Sequence, residues 1–137
     1  AVEMSDVILA KDGIDPRVIT LAEEIKAAQQ PEIDALNGML KSWGMPQAST
    51  DGMAMDHGGS MDGMMTEEDM AALDAATGTE ASRLFLEQMI VHHEGAVEMA
   101  QIEVDSGTNP DAVATAQAII DAQNIEIETM REILQSL

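Results

Sequence analysis

"AVEMSDVILAKDGIDPRVITLAEEIKAAQQPEID" (residues 1–34) returns later in the same chain as "AVEMAQIEVDSGTNPDAVATAQAIIDAQNIEIE" (residues 96–128), with a one-residue gap at the turn. Ala1, Val2, Glu3 and Met4 match Ala96, Val97, Glu98 and Met99. Beyond the gap, Pro16 matches Pro110, Gln29 matches Gln123, Glu32 matches Glu126 and Ile33 matches Ile127. Asp15–Pro16 and Asn109–Pro110 each have the form of a capping side chain followed by a first-turn proline. Each copy therefore reads as one helical hairpin. Two such hairpins make an all-α four-helix bundle of approximate twofold symmetry.

Working outward from the repeat, the first helix is expected from Ala1 to about Lys11, ending near Gly13. The second runs from Pro16 to about Trp43, with Gly44 as its stop and Pro31 expected to kink or loosen it. Residues 45–65 read as a flexible Met/Gly-rich linker. "TEED", from Thr66, has the form of a capping box and opens a short helix ending near Gly78. A third long helix follows from about Thr79 to Asp105, and a fourth from Pro110 to the C-terminus. One domain over residues 1–137 is expected: a first hairpin (1–44), the linker (45–65), and the short helix with the second hairpin (66–137). The second copy is preceded by "RLFLEQMIVHHEG" (residues 83–95), so an equivalent His-His segment is expected upstream of Ala1 in the native protein.

Composition limits the partners. The 26 acidic residues against 6 Lys and Arg give a formal charge of −20, which opposes nucleic acid and anionic membrane surfaces. No cysteine is present, which removes disulfides, thiolate nucleophiles and thiolate metal sites together. No apolar run approaches the ~20 residues of a membrane span.

The third helix carries the first anomaly. His93 falls at the middle of its apolar face, among Leu86, Met89, Ile90, Ala96, Val97 and Ala100, and His92 lies at the edge in line with Phe85 and Met99. On the fourth helix, Gln123 and Glu126 interrupt the apolar stripe, and on the second, Gln29 and Glu32 take the same places. Unpartnered polar groups there would each cost several kcal/mol, on the order of 2–7. They must meet each other or an ion. Either His93, Gln123 and Glu126 form a buried hydrogen-bond network, or the imidazoles with Met89 and Met99 face a metal while Gln and Glu hold the ring tautomers.

The linker carries the second. "GMAMDHGGSMDGMM" (residues 52–65) sets Met53, Met55, Met61, Met64 and Met65 around His57 where little can be packed. Met39, Met70 and Met130 read as core filler in a chain almost without aromatics, but the linker methionines do not. Thioether sulfur is a soft, uncharged ligand suited to Cu(I) and Ag(I). The linker therefore reads as a soft-metal capture segment, and Cu(II) could use His57 with the chain's amino terminus.

The string "FLEQMIVHHEGAVEMA" (residues 85–100) resembles the signature of the bacterial family catalogued as domain of unknown function 305, as do "AQAIIDAQNIEIETM" (116–130) and the Met-rich linker. The resemblance covers nearly the whole chain. It implies a ferritin-like four-helix bundle, export to the periplasm or cell exterior, and for some members an association with copper. Met89, His92, His93 and Met99 match the family motif and inherit candidacy as ligands; Met4 matches Met99, but its His partners are absent from this chain.

No Glu-x-x-His pair exists in the sequence, which disfavours a di-iron oxidase, and no Ser or Cys is placed for nucleophilic catalysis. The expectation is a non-enzymatic, exported copper-binding protein that stores, delivers or detoxifies Cu(I) or Ag(I), with another copper-handling protein as a partner. The alternative is a metal-free structural module; a ferritin-like oxidase ranks third.

Overall fold

The structure is a computed structural model and describes residues 1–46 and 63–137. Among these residues there are five helices and no strand: α1 (Val2–Leu9), α2 (Pro16–Ser42), α3 (Glu67–Ala75), α4 (Gly78–Ser106) and α5 (Pro110–Gln135). The chain is an all-α helical bundle. Met53, Met55, His57 and Met61 lie outside the described residues.

Each boundary has a local cause. Asp15 caps α2 by accepting from the Arg17 amide, with Pro16 in the first turn where its missing N–H costs nothing. Asn109 does the same for α5, accepting from the amides of Asp111 and Ala112 ahead of Pro110. Thr66 and Asp69 form a reciprocal capping box at α3: the Thr66 hydroxyl accepts from the Asp69 amide, and the Asp69 carboxylate accepts from the Thr66 amide.

At the C-terminus of α2, Gly44 takes a φ of +71°. There the Met45 amide bonds the Leu40 carbonyl at 2.9 Å and the Gly44 amide bonds Lys41 at 3.1 Å, which is the double bond of a Schellman stop. Pro31 does not end α2, which continues through it as one element. The carbonyl it orphans belongs to Ala27, and both positions are exposed, so water can serve it.

Pairings between α4 and α5 run in opposite order along the two chains: His93 meets Glu126, and Ala100 clusters with Ala116 and Ile120. The two helices are therefore antiparallel, and theirs is the most extensive packing in the molecule. The short α1 packs against α2, α3 and α4, and α3 packs on α4, while α2 meets α5 only sparsely. The main core gathers Ile8, Ile25, Leu73, Phe85 and Leu86, with Met4, Met89 and Met130 filling the gaps that aromatics would otherwise occupy.

Polar ties lock the elements together. The Asp15 amide donates to Ser82 Oγ at 3.1 Å, and that hydroxyl donates to the Gly78 carbonyl at 3.1 Å. Gln88 Nε2 donates to the Asp69 carbonyl at 2.9 Å, joining α3 to α4. Among the described residues, no helix is long and apolar enough to cross a membrane.

Because α2 closes on α5 so sparsely, its C-terminal half leaves a cleft between itself, α4 and α5. The cleft has a volume of about 590 Å³ and its walls are mainly apolar. This cleft positions the candidate site.

Candidate metal-binding cleft

Successive residues on a helix point about 100° apart. The two adjacent histidines of α4 are thereby sent into different surroundings. His93 points into the bundle and is fully buried. Its Nε2–H donates to a carboxylate oxygen of Glu126 at 2.6 Å, while its Nδ1 is buried without a partner. His92 lies half-buried at the cleft wall. Its Nδ1 is 3.0 Å from the Gly63 carbonyl oxygen. A carbonyl can only accept, so Nδ1 carries the hydrogen and Nε2 carries the lone pair. Burial first, and the positive amino terminus of Ala1 second, push the His92 imidazolium down to about 4, the Gly63 carbonyl opposing that fall, so the ring is neutral at physiological pH.

Around these rings the structure gathers part of the polar set marked by the repeat. Gln29, Glu32 and Gln123 line the cleft together with His92 and Met99, and Trp43 stands at its edge. Glu32 is raised above the usual carboxylate range by burial first and by the nearby Glu126 second, with His93 opposing. Glu32, Glu126 and His93 therefore share one electrostatic neighbourhood. Gln123 Oε1 is buried without a hydrogen-bond partner. Of the four repeat-marked residues, Glu126 alone is hydrogen-bonded to an imidazole, and its copy Glu32 faces the cleft.

The methionine candidates divide. Met89 sits fully buried in the main core. Met99, two helical turns beyond His92, is 51% exposed and lines the cleft. Met64 is 62% exposed, and Met65 packs partly against the core. Met4, the repeat partner of Met99, is buried in the core. Among the described residues, no group of three or more His, Asp or Glu side chains is arranged to hold a metal. The cleft is instead lined by one neutral imidazole and, two turns along α4, one thioether.

Gly63 is the feature that the sequence reading passed over. It has a φ of +92°, and a Cβ there would stand 2.8 Å from Gly95 Cα and 3.1 Å from the Val91 carbonyl oxygen. The backbone at Gly63 thus rests directly on α4. "HHEG" held the signal: Gly95 lies three residues beyond His92, on the same helical face, where a small residue admits a second backbone.

The chain belongs to the DUF305 family: the family described as Domain of unknown function (DUF305) matches residues 1–134. No curated protein matches it significantly in sequence.

Among solved structures it is similar to a DUF305 fragment from Deinococcus radiodurans, with 29% identity, a TM-score of 0.85, and coverage of 99% of this chain and 86% of that one. It is also similar to a presumed secreted DUF305 protein from Streptomyces coelicolor, with 30% identity, a TM-score of 0.84, and coverage of 98% and 81%. CopM in its Cu(I)-bound form matches at 26% identity and a TM-score of 0.78, over 98% of this chain and 85% of that one. The Cu(II)-bound form of CopM matches at 28% identity and the same TM-score, over 98% and 86%.

Proposed function

We propose that this protein binds copper as cargo, taking Cu(I), or Ag(I) by the same softness, through thioethers and imidazole, and that it catalyses no reaction. The observation that carries this is the Nδ1–H of His92 engaged by the Gly63 carbonyl, which leaves the lone pair on Nε2 of a residue that lines the cleft with Met99. Thioether and neutral imidazole together suit a soft monovalent ion. Met64 follows Gly63 directly, and the sequence sets Met53, Met55 and Met61 just upstream. Similarity to CopM, whose structures hold Cu(I) and Cu(II), supports the same reading.

The reading extends to organisation and location. The matched caps at Asp15–Pro16 and Asn109–Pro110, with α1 on α2 and α4 on α5, support a ferritin-like arrangement of two related hairpins in one domain. Export to the periplasm or cell exterior is supported by the cysteine-free composition and by the presumed secreted relative. Storage, delivery to another copper-handling protein and detoxification are all roles that such binding can serve.

Anaerobic titration with Cu(I) against a competing chelator tests the proposal. Tight uptake is expected in the native chain. Replacing Met53, Met55, Met61, Met64 and Met65 together by leucine is expected to remove it. Equal binding by both proteins, or none by either, overturns the reading. A metal-free scaffold is favoured by one observation, the His93–Glu126 pair, which satisfies the buried imidazole N–H within the protein. That reading predicts no uptake and a stability indifferent to copper.

A further inference from the structure

We infer that Gly63 is a positioning residue for the cleft: seated on Gly95, its carbonyl selects Nε2 of His92 as the ligating atom. The inference rests on the copper reading for its functional meaning, but its geometry stands apart from any metal. An imidazole has two nitrogens, and a neutral ring offers only one of them as a ligand. In a histidine free to choose, both tautomers are populated. Here the Gly63 carbonyl, 3.0 Å from Nδ1, takes the hydrogen bond that only the Nδ1–H form can make. Hydrogen-bonded partners of this kind set the tautomer and orientation of metal-binding histidines.

The carbonyl reaches that place because two glycines meet. A side chain at residue 63 would collide with α4 at Gly95 and Val91, and its backbone would be held at a φ of +92°, which side-chain-bearing residues seldom adopt. Gly63 also stands immediately before Met64. The contact that orients His92 therefore also seats on α4 the backbone one residue before Met64.

The test uses the full chain in two arms. Long-range ¹⁵N–¹H spectra of the metal-free protein report the His92 tautomer, which is expected to be Nδ1–H in the native chain. Gly63→Ala, strained and clashing, and Gly63→Asn, which tolerates a positive φ but still clashes, are each expected to lose that preference. Gly38→Ala, at a helical glycine with open space around it, is expected to keep it. In the second arm, Cu(I) affinity is expected to fall by about 10-fold or more in both Gly63 variants and to hold in Gly38→Ala.

A native chain without the Nδ1–H tautomer overturns the inference without recourse to any variant. So does a Gly63 variant that keeps the tautomer, or one that loses it with copper affinity unchanged. If the native chain shows the tautomer but takes up no copper, the copper reading falls while the positioning of His92 by Gly63 stands.

Discussion

His93 and Glu126 stand 33 residues apart in sequence, yet Nε2 of one lies 2.6 Å from a carboxylate oxygen of the other. The imidazole is fully buried, and the carboxylate side chain stays partly exposed. The pair joins α4 to α5 at the level where α2 stands off. Glu126→Leu is expected to destabilise the fold by about 1–3 kcal/mol, because it strands a buried imidazole N–H. Glu126→Gln, which can still accept, is expected to cost less. Urea unfolding of the two variants distinguishes the effects, and equal losses would show that the hydrogen bond contributes little.

His92 makes stability depend on pH in a defined window. Its folded-state value, about 4, lies below the ordinary 6.5, so the unfolded chain binds the proton more readily. The contribution is fully present above pH 6.5 and is lost as pH falls towards 4. Allowing for the ring's partial exposure, the loss is about 2 kcal/mol. The stability difference between the native chain and His92→Gln, followed by denaturant unfolding from pH 7.5 to 4, is expected to move against the native chain by this amount. A constant difference would contradict it.

Glu32 works in the opposite sense. Its carboxyl is raised, so its ionisation opposes folding, and the penalty appears as pH rises through the usual carboxylate value. Glu32→Gln is expected to stabilise the protein at pH 7 by about 0.5 kcal/mol after screening, and to change little at pH 4. Thermal unfolding at the two pH values checks the sign.

The capping box offers a local test. Thr66→Ala removes the acceptor for the Asp69 amide and is expected to cost about 1 kcal/mol. Protection from hydrogen exchange should fall first in α3, while α4 and α5 keep theirs. Uniform loss across the molecule would mean that α3 does not open independently.

The repeat, the paired caps and the punctuating glycines made the helices legible in the sequence because each is a local signal, set by side chains within a few residues of the boundary. Pro16, Pro110, Thr66 and Gly44 act where they were expected to act. Pro31 sits inside α2 as expected, and the helix continues through it because an exposed carbonyl can turn to water. The polar residues of the core stripes were also visible, because an imidazole, an amide or a carboxylate in an apolar period breaks a pattern.

Which of those groups touch depends on contacts between distant segments. Two copies of one motif gave Glu32 and Glu126 the same local setting, and tertiary packing separated them: Glu126 met His93, and Glu32 was left at the cleft. Met89 and Met99 share a helix and a side-chain type, and packing sent one to the core and the other to the cleft wall. The sequence by itself determined the helices, the family and the kinds of donor atom available, because these follow from residue type and spacing along the chain. Only the tertiary structure decided which nitrogen of His92 carries the hydrogen, because its bond to the Gly63 carbonyl exists only once two remote backbones come to rest against each other.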